Sequence, residues 1–202
     1  YCHDHGANAI LMRTGSAAEQ VFSRGQPTAE TRPGLPTAAD TLDFRAAMRQ
    51  MAASVTIVTS GSGVHQRGIT ATAVCALSAA PPALIVCINK DSECHDTVLT
   101  SGVFAVNILA PEHEWIAHRF AGPHKVRGAA RFRNEEWAEL STRAPVLRGA
   151  IAALDCVLRE ALDGGTHSIF VGHVVAAQAD PDRAALLYRS GHFIALGIAP
   201  IA

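Results

Sequence analysis

Pro81-Pro82 stands in the middle of the most β-branched part of this 202-residue chain and limits what its surroundings can become. Proline fixes φ and has no amide donor, so neither a helix nor an interior strand can run through the pair. Arg67 to about Leu77, before it, alternates small and β-branched side chains. Ala83 to Asn89, after it, is a short apolar run. This pattern predicts two strands with a forced break between them.

The same signals recur along the chain. Val55 to Ser60 is strand-like and meets a Gly61-Ser62-Gly63 turn, and Val103 to Leu109 predicts another strand. Ile151 to Leu162 alternates as one long strand, and Asp163-Gly164-Gly165 is a hairpin signal leading into His167 to Ala176. A short segment, Ala184 to Tyr188, leads through Arg189-Ser190-Gly191-His192-Phe193 to a closing strand. Helices are predicted from Thr41 as N-cap, at His95 to Thr100, and at Glu112 to Phe120 behind Pro111. Phe44, Ala47, Met48 and Met51 fall at helical spacing and are expected to pack in the core. The loop Ala121 to Gly128 carries Lys125 and Arg127.

About six strands joined by hairpins or short helices, without βαβ alternation, predict a mainly β fold with flanking helices. Its antiparallel sheet should close into a small barrel. Residues 1–40, punctuated by Gly25, Pro27, Pro33, Gly34 and Pro36, read as an N-terminal extension or linker that could pack on a second subunit. The domain is expected over 41–197, with a tail at 198–202.

Charge and cysteine content remove several function classes. Seventeen Lys and Arg against eighteen Asp and Glu give a net charge of -1, without like-charge blocks, which argues against nucleic acid. The longest apolar run, Ala79 to Ile88, contains both prolines and is too short for a bilayer. The opening residues lack the charged, apolar, small order of an export signal. Cys2, Cys75, Cys87, Cys94 and Cys156 are odd in number and form no C-x-x-C pair. The expectation is a reduced, cytoplasmic protein that does not bind membranes.

Common site motifs are also missing. Gly61-Ser62-Gly63 is followed by a strand and has no third glycine, so it is not a dinucleotide fingerprint, and no Walker sequence exists. Cys2-His3-Asp4-His5 has the composition of a metal site but no second half, and His113 and His118 are five apart, so no metal is expected. Cys87 and Cys94 have only His95 as a nearby base, and a buried or ring-lining cysteine is the simpler reading.

Three features remain. Thr70, Thr72 and Val74 share one face of a strand whose other face carries Ile69, Ala71 and Ala73. Small residues beside hydroxyls let a flat ring bring its carbonyls to amide and hydroxyl donors, although an ordinary half-exposed threonine strand looks the same. Lys90 and Ser92, with Thr97 nearby, offer a cation and hydroxyls to a phosphate, or simply form a solvated loop. His167 ends a hairpin where it could face a cleft or only solvent, and Tyr188 and Arg189 are similar single candidates.

Taken in order, several segments resemble the flavin reductases, the small reductase components of two-component monooxygenases in the FMN-binding split-barrel superfamily. They are Phe44 to Thr59, Gly68-Ile-Thr-Ala-Thr-Ala-Val, Leu77-Ser78 with Pro81-Pro82, Cys87 to Ser92 and Ser101 to Leu109. Arg119-Phe120-Ala121, His167 to Val174 and Leu187-Tyr188 follow. The resemblance runs from about Thr41 to Gly197.

It implies an antiparallel Greek-key split β-barrel. Thr70, Ala71, Thr72, Ala73, Val74 and Ser78 would face the isoalloxazine and ribityl chain, with Cys87 and Asn89 on the adjoining strand. Lys90 and Ser92 would take the phosphate, and Phe104 and Asn107 would complete the flavin wall. His167 would act at the nicotinamide, with Tyr188 beside it. Where the family often has serine or a bulky aromatic, this chain has Thr72, Ala73 and Val74, which bears on flavin affinity and preference.

The implied activity is NAD(P)H:flavin oxidoreduction, with NADH or NADPH as donor and FMN or FAD as acceptor. The implied partners are a second copy in a homodimer and a separate flavin-dependent monooxygenase. A flavin-binding electron carrier without nicotinamide turnover is the alternative, and an oxidase of a phosphorylated pyridoxine-type substrate uses the same barrel.

Overall fold

The computed structural model of the chain describes residues 38–122, 126–133 and 137–197. The sequence candidates Cys2-His3-Asp4-His5 and Lys125, most of the 1–40 extension and the 198–202 tail lie outside the described residues. The chain divides into two units, Tyr1–Phe44 and Arg45–Ala202. Helix α1 (Thr41–Met48) crosses that division, and Asp40 rather than Thr41 caps it: its Oδ1 accepts from the Leu42 amide at 2.7 Å.

The second unit holds the strands. They are β1 (Ala53–Ser54), β2 (Thr56–Ser60), β3 (Arg67–Ala71), β4 (Val74–Ala79), β5 (Pro82–Asn89) and β6 (Val103–Ile108). β7 (Trp137–Glu139), β8 (Pro145–Leu147), β9 (Ala152–Gly164), β10 (His167–Ala179), β11 (Ala185–Arg189) and β12 (His192–Leu196) follow. Helix α2 (Glu93–Ser101) lies between β5 and β6, and α3 (Glu114–Phe120) follows β6. Seven strands form one sheet in the order β3-β2-β6-β9-β10-β5-β4, every pair antiparallel. The order β1-β11-β12 makes a smaller sheet, and β7-β8 a ribbon.

The predicted strand from Arg67 to Leu77 is cut at Thr72-Ala73, and this break shapes the molecule. β3 lies at one edge of the seven-stranded sheet and β4 at the other. Laid flat, those edges would stand about 29 Å apart at roughly 4.8 Å per strand. Two linking residues reach only about 10 Å. The sheet therefore rolls until its edges meet, as the expected split barrel requires. The Cys87 amide donates to Ala73 O at 3.0 Å where they meet. Beyond that bond β3 pairs only with β2, and β5 only with β4 and β10. The seam between β3 and the end of β5 stays open.

Two apolar clusters fill the two faces. β2 is buried along its whole length, so Ile57 packs with Leu109, Ile116, Phe120 and Leu186 on one side. Val58 packs with Val86, Val98, Phe104 and Phe170 on the other. Helix α3 covers the first cluster and α2 the second. Gly68 is required where α3 crosses β3, because a Cβ there would lie 2.7 Å from the Phe120 ring.

The expectation that Phe44, Ala47, Met48 and Met51 form core is corrected. All are exposed, Phe44 by 58% and Met51 by 59%. α2 and α3 already cover the apolar faces of the sheet, so the α1 stripe has no core to join. Among the described residues, no helix is long and apolar enough to cross a membrane.

Candidate functional site

One cavity adjoins the open seam and a second lies beside the β4–β5 hairpin. One is a polar groove of about 230 Å³ whose lining includes Gly68, Ile69, Asn89, Ser92, Glu93 and Arg127. The other is a mainly apolar cavity of about 680 Å³, lined among others by Met51, Ala53, Thr72, Val74, Ser78 and Ala83. That volume lies within the range of small-molecule sites. β3 and its continuation contribute Gly68 and Ile69 to the groove and Thr72 and Val74 to the cavity. β5 spans the same two places in the opposite direction, with Ala83 and Leu84 at the cavity and Asn89 at the groove. Ile69 to Thr72 is three residues, about 10 Å of extended chain. One elongated ligand with an apolar head and an anionic tail can therefore touch both.

The groove supplies donors of several kinds. Asn89 Oδ1 accepts from the Asp91 amide at 2.9 Å, which leaves its amide nitrogen for a ligand. Ser92 caps α2 by accepting from Cys94 N at 3.1 Å, so its hydroxyl proton stays available. Arg131 is committed to the loop, donating to Val126 O at 2.9 Å and Gly122 O at 3.2 Å. Glu93 is likewise held, accepting from Gly128 N at 3.1 Å. Arg127 lines the groove, and its guanidinium has no hydrogen bond or ion pair among the described residues.

The sequence candidates distribute unevenly. Thr72, Val74 and Ser78 line the cavity, and Asn89 and Ser92 the groove. Ala71 and Ala73 sit on the seam, Ala71 O accepting from the Thr56 hydroxyl at 2.7 Å and Ala73 O from Cys87 N. Cys87 is half-buried on the outer face of β5, opposite Ile169 of β10. His167 is exposed, pairs with Asn89 in the ladder, and its Nδ1 lies 2.9 Å from Thr166 Oγ1.

Five candidates lie elsewhere. Thr70 donates to Ala117 O of α3 at 2.7 Å, because the break at 72–73 separates its face from that of Val74. Lys90 is ion-paired to Asp163 at 2.8 Å across the β9–β10 hairpin and does not line the groove. That bond, with the Gly165 amide, lowers the Asp163 pKa. Phe104 is fully buried in the barrel core. Asn107 is fully buried too, donating to Ile57 O at 3.0 Å and accepting from Leu147 N at 2.7 Å. They support the sheet from within rather than walling a ligand. Tyr188 lies on β11 against Phe193, with ring centroids 5.2 Å apart, and lines neither cavity.

A thiol nucleophile finds no base here. Burial pushes the Cys94 and Cys156 thiols up to about 12. His95 turns away from Cys94 toward Ser168. Sequence reasoning missed Met51 to Ser54, Leu154 and Val174 in the cavity, and Arg131 in the groove. The small run Ala52-Ala53-Ser54 and the arginines at 127, 131 and 133 were the available signals.

A seven-stranded antiparallel sheet rolled to an open seam, with a polar groove at it and an apolar cavity beside the β4–β5 hairpin, defines a split-barrel ligand-binding protein. Residues 48–197 match the Flavin reductase like domain, and the chain belongs to that family. The FMN reductase (NADH) RutF of Agrobacterium fabrum is 41% identical over 147 residues, 73% of this chain and 83% of the relative. The 4-hydroxyphenylacetate 3-monooxygenase reductase component of Pseudomonas aeruginosa is 38% identical over 150 residues, 74% of this chain and 88% of the relative. The solved structure of the NADH:FAD oxidoreductase SgcE6 of Streptomyces globisporus C-1027 superposes with a TM-score of 0.71 at 31% identity. That match covers 84% of this chain and 99% of SgcE6.

Proposed function

We propose that this chain is an NAD(P)H:flavin oxidoreductase that reduces FMN or FAD and supplies the reduced flavin to a separate flavin-dependent monooxygenase. The observation that carries the reading is the pair of cavities spanned by the same two segments, β3–β4 and β5. An isoalloxazine ring suits the apolar cavity beside Thr72, Val74 and Ser78, and a phosphate suits Ser92, Asn89 and Arg127. When both coenzymes are bound, the chemistry they supply is hydride transfer from nicotinamide C4 to flavin N5.

The protein's part is to orient the two rings and offer donors to them. His167, the ladder partner of Asn89, is the side chain we assign to the nicotinamide. The groove holds two carboxylates, Asp91 and Glu93, of which Glu93 is engaged by the Gly128 amide; hydride transfer needs neither an acid–base pair nor an activated nucleophile. The protein acts as a cytoplasmic homodimer. The exposed Met48, Met51, Leu77 and Val175 suit a second copy, and the four described cysteines, all free thiols, suit a reducing compartment.

The test is to mix pure protein with FMN or FAD and NADH or NADPH and follow the nicotinamide absorbance band. Oxidation in at least one of the four combinations is expected, and none in any of them overturns the reading. Light scattering of the pure protein tests the dimer, which a monomeric mass would refute.

A further inference from the structure

Helix α2 starts beside the groove and is fastened to β10 by one buried polar contact. His95, in its first turn, is 7% exposed, and its Nε2 lies 2.9 Å from Ser168 Oγ. Its Nδ1 lies 3.0 Å from Asp96 Oδ1. A carboxylate accepts, so Nδ1 donates to Asp96, and Nε2 shares a second hydrogen bond with the Ser168 hydroxyl. The ring also packs against Phe170, with centroids 5.3 Å apart.

The order Asp96, His95, Ser168 is that of a nucleophile triad, but the geometry gives it different work. Ser168 is 8% exposed on the inward face of β10 and lines neither cavity, so no substrate reaches it. Its neighbour His167 points outward and pairs with Asn89. His95 follows Ser92 by three residues, and Ser92 lines the groove. The bond thus closes a triangle: β5 to β10 through the ladder, β5 to α2 through Lys90–Ser92, and α2 back to β10 through His95. Cys94 and Val98 also bury α2, but apolar packing has no direction, whereas a hydrogen bond between two enclosed side chains does.

We propose that His95 and Ser168 are positioning residues that hold the Ser92 turn at a fixed distance from His167. This rests on the functional reading above, in which the flavin phosphate meets Ser92 and the nicotinamide meets His167. Each half-site stays intact without the bond, so its loss misaligns the rings while leaving the affinity for each coenzyme in place.

The experiment compares wild type with Ser168→Ala, Ser168→Thr and His95→Gln. Flavin affinity is read from flavin fluorescence, hydride transfer from single-turnover nicotinamide oxidation, and folding from circular dichroism at the assay temperature. Ser168→Ala should bind flavin within about twofold of wild type yet transfer hydride about tenfold more slowly, since small misplacements of reacting atoms have large rate effects. Ser168→Thr, which keeps the hydroxyl, should recover most of the rate. His95→Gln is measured alongside, so that a folding defect in one variant does not hide the result. A folded Ser168→Ala with a normal transfer rate and only a lower melting temperature overturns the positioning role, as does weakened flavin binding at an unchanged rate. A wild-type protein that oxidises neither nicotinamide with either flavin overturns the functional reading, and the proposal with it.

Discussion

Replacing Asn107 with alanine removes three heavy atoms from a place solvent does not reach. One buried group loses its partner, the Leu147 amide, which donates to Oδ1 at 2.7 Å; the Ile57 carbonyl, which accepts from Nδ2 at 3.0 Å, keeps its ladder bond from the Asn107 backbone amide. A stranded buried donor costs about 1–3 kcal/mol. The small void adds about 1 kcal/mol. The sum is roughly 2–4 kcal/mol, which in a chain of this size lowers the melting temperature by about 10 °C. Urea and thermal unfolding followed by circular dichroism measure the loss. Flavin affinity of the folded variant, taken well below its transition, should stay within about twofold of wild type, because Asn107 supports β2 and β8 from inside. Asn107→Asp sharpens the test. The aspartate keeps the acceptor for Leu147 but turns its second oxygen onto the Ile57 carbonyl, so burial raises its folded pKa. Its relative stability should be greatest below the unfolded carboxylate pKa of about 3.9 and fall as pH rises through the folded value. A stability loss under about 1 kcal/mol for Asn107→Ala, with flavin affinity clearly weakened, would refute the assignment of Asn107 to the core.

Three further outcomes are expected. Gly172→Ala puts a Cβ 2.4 Å from Phe104 Cζ and 3.0 Å from Cys156 Cβ, and should cost about 3 kcal/mol in urea unfolding. Adding Phe104→Leu should recover part of that, a non-additivity visible in the double variant. Arg127→Ala should weaken FMN binding about tenfold and leave riboflavin binding unchanged, as loss of one charge-assisted phosphate contact predicts; equal effects on both would place the phosphate elsewhere. His113 has its pKa lowered from 6.5, by burial above all, opposed by Glu112 and helped least by Arg183. The unfolded chain therefore takes the proton first, so stability holds above pH 6.5 and declines as pH falls through the folded value. His113→Gln should flatten that decline, measured by urea midpoints between pH 7.5 and 5, and an unchanged slope would refute it.

Features that depend on neighbours in sequence were legible. Pro81-Pro82 marked the turn before β5, which starts at Pro82, and Asp163-Gly164-Gly165 marked the β9–β10 hairpin, where Asp163 Oδ1 accepts from the Gly165 amide at 2.7 Å. The cut at Thr72-Ala73 was not legible. Both halves carry the same period-two pattern, and only long-range pairing of β3 with β2 and of β4 with β5 decides where one ends. The α1 stripe misled because helical spacing says that one face is apolar, not that a single chain covers it. β7 and β8 were missed because three residues are too few to show a period.

The site divides along the same line. Thr72, Val74 and Ser78 line the cavity and Asn89 and Ser92 the groove; Ser78, Asn89 and Ser92 lie beside strand ends that the sequence marks, whereas Thr72 and Val74 flank the break that it does not. Lys90 suited a phosphate by charge and position, and its ion pair with Asp163, 73 residues away, could not be read from neighbours in sequence. Phe104 and Asn107 were candidates through the family resemblance alone, and the fold buries both side chains. β6, like β2, is covered on both sides, so alternation there selects between two cores and not between core and cavity. The same double coverage explains the open seam. With both faces of the central strands already buried, the unpaired edge of β3 and the end of β5 leave room for the groove, and the apolar cavity lies beside the paired β4–β5 hairpin.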